Sequence, residues 1–83
     1  MEERRYFIDI CLQKQEGCCF QSQWFNDKEM ALRWFNNPNN EFIQKLKESK
    51  KYHFYLMSST GLQREYPFGD VECLGYLKIK NEV

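Results

Sequence analysis

The sequence contains few of the features by which the function of a small protein is usually recognised. Its 83 residues include one histidine and four glycines, and the twelve Lys and Arg cancel the twelve Asp and Glu. A formal net charge of zero argues against a strongly basic nucleic-acid binder and against an acidic mimic of DNA. The sequence has no glycine-rich phosphate loop, nucleophile elbow or zinc-protease motif. We therefore expect a protein that is not an enzyme and that binds no cofactor.

Long apolar runs are also missing from the chain. No stretch approaches the roughly 18 apolar residues that a membrane-spanning helix needs. The first five residues, MEERR, lead into alternating residues rather than into the apolar segment of a secretion signal. We therefore expect a cytoplasmic protein that does not associate with a membrane.

The four cysteines are Cys11, Cys18, Cys19 and Cys73. In the cytoplasm we expect all four to be reduced and to pack as small hydrophobic residues. Adjacent Cys18 and Cys19 would point to opposite faces of a strand, which makes them poor ligands for one metal ion. A metal site from Cys11, His53, Cys73 and one of the adjacent pair is the less favoured alternative. His53 itself is expected to be an ordinary strand residue rather than a catalytic base.

Aromatic residues are abundant instead. Two Trp, five Tyr and seven Phe make up 17% of the chain, and such side chains bury a large apolar area for each residue that is ordered. This content predicts a folded chain rather than a disordered one. The length predicts a single domain over 1–83.

Two segments near the N-terminus alternate with a period of two, which predicts strands over 6–13 and 18–25. A three-residue loop over 15–17, with glycine in its last position, joins them into a hairpin. In that register Leu12 lies opposite Phe20, and the large apolar side chains collect on one face. A two-residue loop would mix the faces, so the hydrophobic pattern selects the longer loop.

The middle of the chain predicts two helices. Asn26 is placed as the N-cap of the first, over 27–36, with Glu29 completing a capping box. Phe25 and Met30 occupy the two positions of a hydrophobic staple.

The second helix is predicted over 38–50, where Pro38 follows Asn37 as the first helical residue behind a cap. Its inward-facing residues are expected to be Phe42, Ile43 and Leu46.

The C-terminal third predicts a strand over 52–58 and a second strand over 62–68 that pairs with it through a three-residue loop. A last strand is expected within 71–79, with a helical turn over 69–74 as the competing interpretation. The predicted fold class is α+β: a small single domain of order ββααββ with a further strand, in which two short helices pack on one face of an antiparallel sheet.

One sheet face is expected to contact the helices. Its predicted members are Tyr6, Ile8, Ile10, Leu12, Phe20, Trp24, Phe54, Leu56, Tyr66 and Phe68. The opposite face, called the reverse face below, then carries Phe7, Phe25, His53, Tyr55 and Met57, together with Cys11 and Cys19.

Two interpretations of the reverse face remain open. It is either a half-solvated sheet face with scattered apolar residues or a surface that binds a protein, with a second copy of the chain as one candidate partner. The second interpretation predicts a non-enzymatic inhibitor or adaptor. The small size and the lack of motifs are typical, by analogy of class alone, of phage or mobile-element proteins that block a host protein.

The alternative function is nucleic-acid binding. Sheet aromatics would stack on bases while Lys45, Lys47, Lys50 and Lys51, near the end of the second helix, contact phosphates. The simpler interpretation of these lysines is that they complement the dipole of that helix. The element order also differs from that of the common RNA-recognition sheet.

Overall fold

An antiparallel sheet of four strands forms the centre of the molecule. The structure is a computed structural model, and it describes residues 4–14, 19–60 and 71–79. The strands are β1 (Arg5–Leu12), β2 (Cys19–Gln21), β3 (Tyr52–Ser59) and β4 (Val71–Tyr76), and they lie in the order β2-β1-β3-β4. Between β2 and β3 come helices α1 (Lys28–Asn36) and α2 (Glu41–Ser49). The predicted α+β class and the order ββααββ are therefore confirmed.

Strands β1 and β3 lie at the middle of the sheet and pair along their whole length, from Arg5 opposite Ser59 to Leu12 opposite Tyr52. The helix-facing residues of this pair meet buried residues of both helices in one core. The core consists of Ile8, Ile10, Phe25, Ala31, Phe35, Ile43, Phe54 and Leu56. Full burial of such a large apolar side chain contributes about 1.5–3 kcal/mol to stability. None of the helices in the described ranges is long and apolar enough to cross a membrane.

The structure exchanges the predicted places of Trp24 and Phe25. Asp9 pairs with Gln21, and the next bridge towards the start of β1 joins Tyr6 to Phe25. The chain therefore advances four residues from Gln21 to Phe25 while β1 advances only three, from Asp9 to Tyr6. The extra residue shifts the alternation by one, as in a β-bulge, and turns Phe25 into the core. Ser22 holds this irregularity in place: its backbone N donates to the Ile8 carbonyl at 2.9 Å, and its Oγ accepts from Ile8 N at 2.8 Å.

The pairing of β1 with β2 is also offset from the predicted register. Phe20 lies opposite Ile10 rather than opposite Leu12, so the predicted pairing is wrong by two residues. An even offset leaves each side chain on its predicted face, which is why the hydrophobic pattern alone could not detect the error. The predicted loop over 15–17 lies outside the described residues.

Helix α1 begins one residue later than predicted. Its N-cap is Asp27, whose Oδ1 accepts a hydrogen bond from Met30 N at 2.9 Å, so the prediction of Asn26 as the cap is wrong. The predicted staple is wrong as well, because Phe25 is buried in the core whereas Met30 is exposed on the helix surface.

Helix α2 begins at Glu41 rather than at Pro38. The Asn40 side chain caps it by accepting from Ile43 N, and Asn40 N donates to the Asn37 carbonyl at 3.1 Å, which makes 37–40 a turn. The helix ends at Lys50, which has a left-handed backbone with φ of 58°.

The three predicted inward residues of α2 differ in burial. Ile43 is fully buried and Leu46 packs against the core, whereas Phe42 is exposed.

The last strand, β4, occupies the edge of β3 that was predicted to pair with 62–68. Met57 lies opposite Cys73, Ser59 lies opposite Val71, and Leu77 N donates to the Phe54 carbonyl at 2.8 Å. The last strand expected within 71–79 is therefore confirmed, and the competing helical turn over 69–74 is wrong where it covers β4. Residues 62–68, with Tyr66 and Phe68, lie outside the described part of the chain.

We expect Asp27→Ala to lower the free energy of unfolding by about 1 kcal/mol, because it removes the side chain that caps α1. Urea denaturation followed by circular dichroism measures the change. Asn26→Ala is the matched control at the neighbouring position and should cost less than half as much. An equal loss in the two variants would contradict the assignment of the cap.

Candidate functional site

The reverse face is the side of the sheet that both described helices leave open. Across its centre Phe7 pairs with Met57, Asp9 with Tyr55, and Cys11 with His53. Strand β2 adds Cys19 and Gln21 to this face, and β4 adds Val71, Cys73 and Tyr76. Since β1 and β3 are the central strands, the side chains in the middle of the face stand on the most firmly paired backbone of the sheet.

Phe7 lies on the reverse face, as predicted, but it is covered there. The Trp24 ring stacks on it with ring centroids 4.9 Å apart and an angle of 14° between the ring planes. Trp24 Nε1 also donates to Gln21 Oε1 at 3.3 Å. Only 1% of Phe7 is accessible to solvent. The prediction of Phe7 as a contact residue is therefore corrected, because the partly exposed indole of Trp24 takes its place at the surface.

Phe25, the second predicted contact residue, is absent from this face. It is buried in the core, where its ring centroid lies 5.9 Å from that of Trp34. The bulge that brings Trp24 onto the reverse face is also what removes Phe25 from it.

The other three predicted residues, His53, Tyr55 and Met57, do share the reverse face and are partly buried there. The Tyr76 ring packs edge-on against Tyr55 at a centroid distance of 5.4 Å. Its hydroxyl forms a hydrogen bond of 3.2 Å with His53 Nδ1. His53 and Tyr55 thus form one group with Tyr76, a residue that the sequence did not indicate, and Met57 lies two residues beyond Tyr55 on the same face of β3.

Tyr76 was missed because β4 contains a second irregularity. The pairing moves from Met57–Cys73 to Leu56–Gly75, which leaves Leu74 unmatched. Before this point the odd-numbered residues of β4 face the reverse side, and after it the even-numbered Tyr76 does. A simple alternation over 71–79 contains no signal for that change of phase.

Asp9 provides a carboxylate in the middle of this aromatic surface. It lies between Phe7 and Cys11 along β1, with Gln21 and Tyr55 on the neighbouring strands. Burial raises the pKa of this carboxyl above its ordinary value of 3.8. A partly desolvated acceptor among aromatic side chains suits a ligand that brings a hydrogen-bond donor to this place.

Cys11 and Cys19 form a disulfide, so the expectation that all four cysteines are reduced is wrong for this pair. The observed register sets the two residues directly opposite each other with their Cα atoms 4.1 Å apart. That expectation rested on the cytoplasmic location, and the predicted register, which placed Cys11 opposite Gln21, gave no sign of the pairing. Cys73 is an exposed free thiol.

The predicted metal-ligand set is not assembled in the described structure. His53 is adjacent to Cys11 on the reverse face but interacts with Tyr76, and Cys73 lies across β3 on β4. Within the described ranges, one group has metal-ligand atoms that all lie within 4.8 Å of one another, and it consists of Asp9, Cys11 and Cys19.

Of the lysines predicted to contact phosphates, Lys47 is already engaged within the fold. Its ammonium donates to the Phe35 carbonyl and lies 3.9 Å from the centroid of the Phe35 ring. Burial lowers the pKa of this amine below its ordinary value. Lys47 therefore joins the two helices rather than presenting its charge to a ligand.

The other three, Lys45, Lys50 and Lys51, are exposed. Lys50 and Lys51 line an open depression of about 220 Å³ together with Lys14. Helix α2 packs on the core side of the sheet, so its lysines and the reverse-face aromatics lie on opposite sides. The structure does not bring together the two halves of the predicted nucleic-acid surface.

A second aromatic group lies on the helix side of the molecule. The Phe20 ring contacts those of Phe42 and Tyr52 at centroid distances of 6.5 and 6.2 Å, and Trp34 also packs on Phe42. Phe20 and Phe42 remain 42% and 52% exposed. These rings mainly cover the edge of the core. They are also an exposed aromatic surface, so a test of binding by the reverse face needs a control on this side.

Comparison with protein-family models, with curated proteins and with solved structures gives no match to this chain.

We expect Asp9→Asn to raise the stability of the oxidised protein at pH 7. Burial in the folded state raises the Asp9 pKa, so the ionised carboxylate lowers the free energy of unfolding at neutral pH. This loss of stability disappears as the pH falls through the folded pKa and the carboxyl becomes protonated. The advantage of the variant should therefore shrink towards zero at and below pH 3.8, the ordinary value of the group.

Urea unfolding at a series of pH values measures this difference. Glu72→Gln, at an exposed position of β4, controls for the loss of one negative charge. Destabilisation by Asp9→Asn at pH 7 would contradict the desolvation of Asp9.

Proposed function

We propose that this chain is a non-enzymatic protein-binding module, a small inhibitor or adaptor that contacts its partner through the reverse face. The observation that carries the proposal is that Trp24, Tyr55, Met57 and Tyr76 lie on one sheet face together with the Asp9 carboxylate. Trp, Tyr and Met are enriched in the cores of protein interfaces, and lysine is depleted there. Strands β1 to β4, within the bounds described, contain no lysine.

These side chains are held in place before any partner binds. Trp24 is fixed by its stack on Phe7 and by its hydrogen bond to Gln21. Tyr76 is fixed between Tyr55 and the His53 ring. Since ordering a mobile side chain costs about 0.5–1.5 kcal/mol on binding, a prearranged surface keeps more of its contact energy as affinity.

The position of Asp9 favours a different protein over a second copy of the chain. Two copies that met about a two-fold axis through the middle of this face, near Asp9, would bring their Asp9 carboxylates towards each other, and like charges at an interface are costly. A partner with an apolar surface and a central Lys, Arg or amide donor would complement the site instead.

The proposal keeps the cytoplasmic location and the analogy to small phage or mobile-element inhibitors that the sequence suggested. Disulfides rarely persist in the cytoplasm, where thiol systems keep cysteines reduced. In that compartment we therefore expect Cys11 and Cys19 to be present as thiols.

The test is a pull-down from cytosolic extract with the full chain, analysed by quantitative mass spectrometry. Replacing Tyr55 and Tyr76 by serine should reduce the capture of the specific partner by at least about tenfold, because central interface aromatics each contribute 1 kcal/mol or more. Circular dichroism shows whether the variant is folded.

Phe42→Ser is the matched control, because Phe42 is an exposed aromatic residue on the opposite side of the molecule and is more exposed than either tyrosine. It should leave capture unchanged. Loss of capture in Phe42→Ser, with capture retained when the tyrosines are replaced, would move the binding surface to the helix side and overturn the proposal.

For the nucleic-acid alternative, we expect no measurable binding of single- or double-stranded oligonucleotides even at low salt. The chain is neutral overall, and its exposed α2 lysines lie away from the aromatic face. A salt titration of fluorescence anisotropy measures binding. Affinity that falls with salt and is lost in the Lys50→Gln, Lys51→Gln double variant would instead support the alternative.

A further inference from the structure

Asp9, Cys11 and Cys19 form a compact set of donor atoms, of which the proposed function uses Asp9 alone. Asp9 and Cys11 are two residues apart on β1 and therefore share a face, and Cys19 stands directly opposite Cys11 on β2. Their ligand atoms all lie within 4.8 Å of one another. Around a tetrahedral Zn²⁺, with bonds of about 2.0–2.3 Å, ligand atoms lie roughly 3.3–3.8 Å apart. In the oxidised chain the two sulfur atoms are covalently bonded, so after reduction they must move apart to this spacing, whereas the Asp9 carboxylate already lies within 4.8 Å of both.

The supporting backbone differs between the two strands. Asp9 and Cys11 stand on β1, which is paired on both of its edges, whereas Cys19 stands on β2, a strand of three residues at the border of the sheet. Two ligands are therefore preorganised, and the third is on the element that adjusts most easily.

The donor chemistry selects the kind of ion. Two thiolates and one carboxylate favour a thiophilic divalent cation such as Zn²⁺ over Mg²⁺ or Ca²⁺, which prefer oxygen ligands. Three protein ligands leave a fourth coordination position for water.

From this geometry we propose that Asp9, Cys11 and Cys19 form a redox-gated site for Zn²⁺. In the oxidised chain the Cys11–Cys19 disulfide occupies the sulfur ligands and the site is closed. A dithiol reductant, of the class present in the cytoplasm, transfers two electrons and two protons to the disulfide and is itself oxidised to a disulfide. The two thiols that result each release a proton when the cation binds.

Binding would then replace one cross-link by another. The disulfide joins β2 to β1 under oxidising conditions, and the metal joins the same two strands under reducing conditions. The site shares Asp9 with the proposed protein-binding surface, but its sulfur ligands Cys11 and Cys19 are separate from that surface. Loss of partner capture on replacing Tyr55 and Tyr76 would therefore leave the metal site intact.

Cobalt titration of the purified full chain tests the site, because Co²⁺ replaces Zn²⁺ and is visible by absorption. The reduced chain, handled without oxygen, should show a thiolate-to-cobalt charge-transfer band that saturates at one ion per chain and disappears when Zn²⁺ is added. The oxidised chain should show no band. Absence of the band in the reduced chain would overturn the proposal.

Variants identify the ligands. Cys11→Ser and Cys19→Ser should each abolish the band, and Asp9→Asn should weaken cobalt affinity by roughly 10- to 100-fold, at least as much as the loss of a supporting residue around a metal. Circular dichroism of each reduced variant shows whether it is folded, so that a loss of cobalt affinity can be separated from misfolding.

Cys73→Ser and Cys18→Ser are the matched controls and should bind cobalt as the unaltered reduced chain does. Binding that survives in Cys11→Ser or Cys19→Ser, that is lost in either control, or that is unchanged in Asp9→Asn would contradict the three-ligand site.

Discussion

The extra residue between Gln21 and Phe25 is the constraint on which the arrangement of the two sheet faces depends. Ser22 satisfies the backbone of Ile8 at this point, with its own amide and with its hydroxyl, so the local break in the ladder leaves the Ile8 amide paired. As a result Phe25 enters the core and Trp24 covers Phe7. Regular alternation would instead have placed the larger indole inside and left the Phe7 ring uncovered on the reverse face.

Much of the architecture could be predicted because its determinants are local. Alternation identified β1 and β3, the period of the apolar residues identified both helices, and the clear separation of these segments was enough for the α+β class. The helix boundaries were less accurate, because Asn26 and Asp27, or Asn37 and Asn40, are equally suitable caps by residue type. The choice between them is made by the packing of the following helix, which brings Ala31 or Ile43 into the core.

The candidate site was less predictable, since it depends on departures from regular pairing. The reverse-face positions of Tyr55, Met57 and His53 followed from alternation in a regular strand. The positions of Trp24 and Tyr76 each depend on one extra residue in a strand. A strict alternation with a period of two cannot predict such an extra residue. The opposition of Cys11 and Cys19 depends on an even register offset, which leaves the hydrophobic pattern unchanged and is therefore invisible to it.

The irregularity at Leu74 also limits the addition of further strands to the β4 edge of the sheet. Strand β4 forms one border of the described sheet, and the exposed apolar side chains of Val71, Leu74 and Tyr76 would make a straight strand there a template for adding further strands. A bulge interrupts the even spacing of backbone donors and acceptors that such addition needs, and Glu72 adds a charge beside it. The fold can therefore expose apolar side chains at this border while the border resists the addition of further strands.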